Sequence, residues 1–191
     1  MRLLEDRIRK DGKVKDGDVL KVDGFLNHLI DVRFVAELGK EFYRLYGNCG
    51  INKILTIESS GIGVACLTAQ FFDCPVVFAK KAKSKNIDAE TYVVPVESFT
   101  HGNTAQVIVS KQYLGKGDRV LIIDDFLARG NALLGLIQLI RESGAELVGA
   151  GIVIEKAYQE GGAKVRAQGV RVESLARIAS MSEKDGVVFC D

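Results

Sequence analysis

The sequence predicts an α/β fold, a parallel sheet flanked by helices. Three observations carry that expectation. Runs rich in Val, Ile and Leu recur along the chain: "KILTI", "PVVFAKK", "AQVIVSK", "DRVLIID" and "AELVGAGIVIEK". Helical patterns fall between several of them, which is the order of a βαβ chain. The runs are apolar throughout rather than alternating, as suits strands covered on both faces.

Taken in order, "LLEDRIRKDG" predicts a first helix ending at Gly12. In "LIDVRFVAELGKEFYRLYG" the residues Val32, Val35, Leu38, Phe42 and Leu45 recur at spacings of three and four, an amphipathic helix stopped by Gly47. That helix serves either the core or a contact with a second copy. The first core strand is 53–57, followed by the turn "ESSGIG" and a helix over 64–72. Strands two, three and four are 75–81, 105–111 and 118–124. A helix from about Asn131 to Ser143 leads to the fifth strand, 145–156, apolar until Glu155.

The stretch between strands two and three has another character. It opens with Lys80, Lys81, Lys83 and Lys85, and "ETYVVPVESFT" suggests an excursion of one or two strands. A long insertion of this kind, about 80–105, is either a lid over a site or a plain surface loop.

The chain has 191 residues, 47% hydrophobic and 27% charged, enough for one domain spanning 1–191 with a sizeable core. Pro75 and Pro95 mark no linker. A net charge of +1 gives no overall field to recruit nucleic acid or an anionic membrane, so any anion must be held by a local site. The opening "MRLLEDRIRKDGKVKDGD" lacks the apolar centre of a secretion signal, and no apolar run approaches the ~18 residues of a membrane span. Cys49, Cys66, Cys74 and Cys190 form no CxxC pair and have no zinc spacing with His28 or His101. They read as reduced thiols, small buried hydrophobes of a cytoplasmic protein.

Ligands of such sheets gather at the carboxyl ends of strands. "ESSG", "DDFLARG" and "EK" all fall there, which favours one site over three unrelated loops. Asp124 and Asp125, adjacent in extended chain, point in opposite directions, but at a strand end they can straddle the sheet edge. Two carboxylates there are natural acceptors for vicinal ribose hydroxyls, or else a strand terminator and helix cap. The small-residue turn after them leads into a helix whose amino end would hold a phosphate through backbone N–H groups. No P-loop pattern occurs.

Residues 120–132, "VLIIDDFLARGNA", resemble the signature for phosphoribosyl pyrophosphate (PRPP) of the type I phosphoribosyltransferases: four apolar residues, two acids, a small-residue turn and a glycine. Together "VDGFLNHLIDV", "ESSGIG", "AKKAKS", "IIDDFLA" and "GIVIEKAYQEGG" look like the bacterial xanthine branch of that family, with adenine enzymes as more distant relatives. The resemblance implies a type I phosphoribosyltransferase-like parallel sheet flanked by helices, with a flexible lid loop. It also implies a small hood, contributed mainly by about 1–35 and the C-terminal residues. The implied reaction transfers the phosphoribosyl group of PRPP to xanthine, giving xanthosine monophosphate and pyrophosphate in purine salvage. Mg²⁺ would arrive with PRPP rather than sit in a protein cage, and the implied assembly is a homodimer.

By the same resemblance, Asp124 and Asp125 meet the ribose hydroxyls as the catalytic pair. Ala128, Arg129, Gly130, Asn131 and Ala132 cradle the phosphate, Glu58, Ser59, Ser60 and Gly61 face the pyrophosphate, and Lys81 approaches it. Leu20, Asn27 and Lys156 contact xanthine, whose two carbonyls ask for donors such as an amide and an ammonium. Phe126 either stacks on the base or packs in the core, and His28 and His101 have no assigned role. The family commonly places Thr, or Asn in xanthine enzymes, where this chain has Arg129. Its guanidinium either replaces the lost contact or points into solvent. Two alternatives stand beside this reading: transfer to guanine, hypoxanthine or adenine, or a PRPP-sensing regulator without catalysis. A regulator would add a DNA-binding module, yet only some fifty residues precede the first core strand.

Overall fold

The first forty-six residues build one side of the molecule. Helix α1 (Arg2–Asp11) turns Leu4 and Ile8 inward and ends at Gly12. A two-stranded ribbon follows, β1 (Lys13–Lys15) antiparallel to β2 (Val19–Lys21), with Val14 opposite Leu20. One π-helical turn, Asp23–Asn27, leads to α2 (Val32–Tyr46). The Asp31 carboxylate caps α2 by accepting from the Phe34 N–H at 3.2 Å, and Arg7 reaches the same carboxylate at 3.0 Å.

The remaining elements are β3 (Lys53–Ile57), α3 (Gly61–Phe72), β4 (Val76–Ala82), β5 (Thr91–Glu97), β6 (Thr104–Ser110), β7 (Arg119–Leu127), α4 (Asn131–Ser143), β8 (Glu146–Lys156), α5 (Gly161–Arg166), β9 (Val172–Ser182) and β10 (Gly186–Phe189). The structure, a computed structural model, describes residues 1–16, 18–82, 90–97 and 104–190. Much of the expected lid, including Lys83 and Lys85, lies outside the described residues, as does His101. Lys80 and Lys81, expected both at the end of the second strand and at the start of the lid, belong to β4.

Eight strands form one sheet in the order β10-β9-β8-β7-β3-β4-β6-β5. The run from β9 to β4 is parallel, as the apolar strands predicted. The third predicted strand departs from that pattern: β6 lies antiparallel to β4, and β5 pairs antiparallel to β6 from Thr91–Ser110 to Glu97–Thr104. The chain between β4 and β6 carries a strand where a parallel return needs a crossover. The sheet is therefore mixed. β9 and β10, half exposed along an antiparallel edge, had no apolar run to announce them.

Packing follows the strand alternation. Leu121 and Ile123 of β7 join α1, α2 and α3 in one core cluster, while Val120 and Ile122 join α4 in the other. Each such Leu or Ile, fully withdrawn from water, stabilises the fold by about 1.5–3 kcal/mol. Helix α2 turns Phe34, Val35, Leu38, Phe42 and Tyr46 inward, so its apolar stripe serves the core. Val32, expected on that stripe, is exposed in the first turn. The cysteines depart from expectation too: all four are free thiols, but Cys66 is exposed and the others half-buried. No helix among the described residues is long and apolar enough to cross a membrane.

Candidate active site

Strand β7 runs further than the expected 118–124, through Leu127, so Asp124 and Asp125 lie within the strand rather than at its end. They are 5% and 8% exposed. Each carboxylate accepts from the next backbone N–H: Asp124 Oδ1 from Asp125 N and Asp125 Oδ1 from Phe126 N, both at 3.0 Å. Burial, then the neighbouring Asp125 charge, pushes the Asp124 carboxyl well above the usual carboxylate range; the positive charge of Lys81 opposes the shift. An acid pair so placed favours ligands that bring hydroxyl donors or positive charge. Among the described residues no group of three or more His, Cys, Asp or Glu side chains is placed to hold a metal ion.

The turn after β3 meets this pair. Glu58 donates its N–H to the Ala79 carbonyl at 3.0 Å, and its Oε1 accepts from the Lys81 N–H, tying the turn to β4. Ser59 accepts from the Ile62 N–H at 3.2 Å, Ser60 precedes α3, and the Glu58–Ser59 peptide is cis. A Cβ on Gly61 would stand 2.8 Å from Asp124 Oδ1 and closer still to the Thr56 hydroxyl. Only a glycine lets α3 begin this near the acids. Glu58 to Gly61, Lys81 and Asp124 therefore share one site. Thr56, unremarked in the sequence, has its Oγ1 buried there without a hydrogen-bond partner among the described residues. A hydroxyl inside the apolar run "KILTI" was the available signal.

Ala128 and Arg129 turn the chain, and Gly130, at φ +87°, starts α4 at Asn131 and Ala132. The first amides of a helix have no intrahelical acceptor, so such an end can receive an anion. The Gly161 N–H holds the turn from behind by donating to the Ala128 carbonyl at 3.1 Å. Arg129 is exposed, and its charge reaches Glu160: the Lys164 hydrogen bond first, and Arg129 in smaller part, hold that carboxyl below its usual range. Glu160 thus lies within reach of the Arg129 charge.

Lys156 ends β8 with its side chain 12% exposed. It donates to the Asp18 carbonyl, and its Nζ lies 3.8 Å from Asp18 Oδ2. Burial draws its pKa below the lysine range, and Asp18 pulls the other way. Leu20, buried in β2, is two residues from that contact. Asn27 closes the π-helical turn, and its Oδ1 is buried with no hydrogen-bond partner among the described residues. Leu20 shares a core cluster with Phe25 and Leu26 of that turn, and half-buried Phe126 packs against the same cluster. His28 is exposed.

The preceding residue, Glu155, is braced away from Lys156. Its carboxylate, 2% exposed, accepts from Arg166 at 2.7 and 2.8 Å and from Ser174 at 2.6 Å, with Arg177 at 3.4 Å. Apart from one acid ending an apolar strand, nothing along the chain announces this cluster.

A family model described as phosphoribosyl transferase domain matches residues 22–178. Xanthine phosphoribosyltransferase of Lachnoclostridium phytofermentans is 60% identical over 188 residues, 98% of this chain and 97% of that protein. Xanthine phosphoribosyltransferase 2 of Clostridium botulinum is 55% identical over 190 residues, 99% of this chain and 100% of that protein. Among solved structures, adenine phosphoribosyltransferase of Trypanosoma brucei in complex with AMP, pyrophosphate and ribose-5-phosphate superposes with a TM-score of 0.79 at 21% identity, covering 96% of this chain and 83% of that one. The enzyme of Rhodothermus marinus gives 0.75 at 23%, covering 93% and 99%. At those identities the likeness speaks for the fold. The chain belongs to the phosphoribosyltransferase family and has its type I fold.

Proposed function

We propose that this chain transfers the phosphoribosyl group of PRPP to xanthine, forming xanthosine monophosphate and releasing pyrophosphate. The observation that carries the reading is one site holding a buried acid pair, a glycine-bounded turn beside it and a helix amino end. The name shared by relatives at 55–60% identity supplies the base.

In this reading the amides from Ala128 to Ala132 receive the ribose phosphate, and the carboxylates of Asp124 and Asp125 accept from the ribose hydroxyls. With both ends of the sugar held, C1′ is fixed between the base and the departing pyrophosphate. Displacement there develops positive charge on the sugar, which the adjacent acids stabilise. The turn from Glu58 to Gly61 offers backbone donors to the pyrophosphate, and Lys81 adds charge beside it. Lys156 and Asn27 address the xanthine carbonyls, with Leu20 forming the wall. A base lacking one carbonyl would leave a buried donor unmatched, which is the source of discrimination.

The hard oxygens of Asp124 and Asp125, with one carboxyl strained toward protonation, fit a divalent cation carried in on PRPP. Bound, Mg²⁺ would neutralise charge on the departing pyrophosphate. The reading also includes the lid over about 80–105, much of which lies outside the described residues, a hood contributed mainly by about 1–35 and the C-terminal residues, and a cytoplasmic homodimer. Exposed Leu29, Ile30 and Val32 offer an apolar surface for the second copy, and sedimentation as a monomer at micromolar concentration would remove it.

The test is product formation from PRPP and Mg²⁺ with xanthine, guanine, hypoxanthine and adenine in parallel. Xanthosine monophosphate should dominate. Another nucleotide as the main product would overturn the choice of base, and no product with PRPP still bound would overturn the enzyme.

A further inference from the structure

A single residue outside the assigned set joins the two walls of the base pocket. Asp18 lies between β1 and β2, yet its three partners all come from the far end of β8 and just beyond. Its carbonyl accepts from Lys156, one carboxylate oxygen from the Tyr158 hydroxyl and the other from the Gln159 amide. The residues are 138 to 141 positions apart in the chain. Asp18 also holds a φ of +65°, a conformation L-residues rarely adopt and Asp tolerates better than most.

The parts that Asp18 connects are otherwise loosely determined. Pairing of Lys156 with Ile178 fixes the backbone of β8, but the ammonium sits at the end of four flexible carbons. The ribbon that carries Leu20 is only three residues wide on each strand. Asp18 anchors both at once. It takes one of the three ammonium protons and leaves the others free for a carbonyl of the base. It also clasps the ribbon to the strand end two residues from Leu20.

We propose that Asp18 is a positioning residue for base selection: it aims the Lys156 ammonium and sets the gap between Lys156 and Leu20 to the width of a purine edge. The inference rests on the reading of Lys156 and Leu20 as base contacts. Charge complements geometry here, since the Asp18 carboxylate helps keep the half-desolvated ammonium protonated. Tyr158 is likewise held as a donor, burial and then Asp18 pushing its phenol upward.

The test compares Asp18→Asn, Asp18→Gly and Lys156→Ala with the parent enzyme in steady-state kinetics with xanthine, hypoxanthine and PRPP varied in turn. Asn and Gly both tolerate the left-handed backbone, so melting temperatures should stay near the parent value. Both variants keep the backbone carbonyl that Lys156 bonds but lose the carboxylate that clasps Tyr158 and Gln159 and faces the ammonium. Both should raise KM for xanthine by about tenfold, the scale of one lost charge-assisted contact. KM for PRPP should stay within about twofold, and the preference for xanthine over hypoxanthine should shrink. Equal rises in both KM values would make Asp18 merely structural and overturn the proposal. Loss of base preference in Lys156→Ala with none in the Asp18 variants would overturn it while sparing the pocket. Unchanged base preference in Lys156→Ala would remove the pocket itself, and the proposal with it.

Discussion

Gly130 and Gly161 abut backbone to backbone. A Cβ on Gly130 would stand 2.9 Å from Gly161 Cα, and a Cβ on Gly161 would stand 2.6 Å from Gly130 N. Neither clash is with the end of a flexible side chain, so neither can be relieved by a rotamer change. Gly161→Ala should therefore push the turn at Ala128–Gly130 outward. Overpacking of this kind costs about 1–3 kcal/mol, and each 1.4 kcal/mol is about tenfold in binding. The expected outcome is a KM for PRPP raised about tenfold or more with KM for the base little changed, read by initial rates.

In the proposed reading Asp124 trades stability for its task. Its folded-state pKa is raised by burial, so the folded chain holds a proton that the unfolded chain releases near pH 3.9. That contribution is complete below the unfolded value and is lost as pH rises through the folded one. Asp124→Asn removes the cost of burying that ionisable group. It should raise the melting temperature of the ligand-free protein while lowering turnover by about a hundredfold or more, as loss of a group facing developing charge does. Thermal melts across pH together with activity assays check both halves; a variant with near-normal turnover would remove Asp124 from the site.

Glu155 has the opposite sign. Burial pushes its carboxyl up, but hydrogen bonds from Arg166 and Ser174 and the charge of Arg177 outweigh that and hold it below the usual range. Its contribution is present above the ordinary glutamate value of about 4.3 and is lost as pH falls through the lowered one. Glu155→Gln leaves Arg166 and Arg177 without their counter-charge. Both arginines are partly exposed, so the expected loss is about 2–3 kcal/mol, under the full value for a buried pair. Denaturant unfolding at neutral pH and at pH near 4 should show the difference between parent and variant narrowing in acid.

The cysteines should separate by rate. Cys66 is exposed, whereas Cys74 is half-buried with its thiol pushed up by burial and by Asp73. Since the thiolate is the nucleophile, a maleimide at neutral pH should label Cys66 first and Cys74 slowly, resolved by peptide mass spectrometry. Equal rates would contradict the packing around Cys74.

In the proposed reading the backbone of the turn carries the phosphate contact, and the exposed Arg129 adds little to it. Arg129→Thr should change KM for PRPP by less than about threefold, below one charge-assisted bond. A loss of tenfold would place the guanidinium on the phosphate.

Where local chemistry determines structure, the sequence was readable. Helix α4 starts at Asn131 and ends at Ser143 as expected, because glycines in left-handed geometry bracket an apolar period of three and four. The turns at "ESSG" and "LARG" were legible as turns for a similar reason: small residues follow an apolar strand and lead into a helix. The direction of β6 was not, since "AQVIVS" is equally apolar in either sense and only its neighbour fixes the pairing. That Asp124 and Asp125 sit inside β7 was hidden because charge normally ends a strand, and here the site overrides the preference. Asp18 could not be found from sequence either. Nothing near position 18 names Lys156, and only the fold brings them together.

The end of β8 sets opposite charges on opposite faces, Glu155 toward Arg166 and Arg177 and Lys156 toward Asp18. A strand that slips by one residue exchanges its faces. Slippage here would turn Lys156 upon two arginines and Glu155 upon an aspartate, so every attraction at this end would become a repulsion. Ile152, Val153 and Ile154 are apolar on both faces and cannot by themselves tell one face from the other. Register therefore rests on the charged end together with Gly149 and Gly151, where a Cβ would meet Tyr46, Phe42 and Ile123 at 2.7 to 2.9 Å. The two final residues act as a key cut for one lock. Point changes along β8 leave that key intact, while a single inserted or deleted residue ahead of Glu155 reverses it.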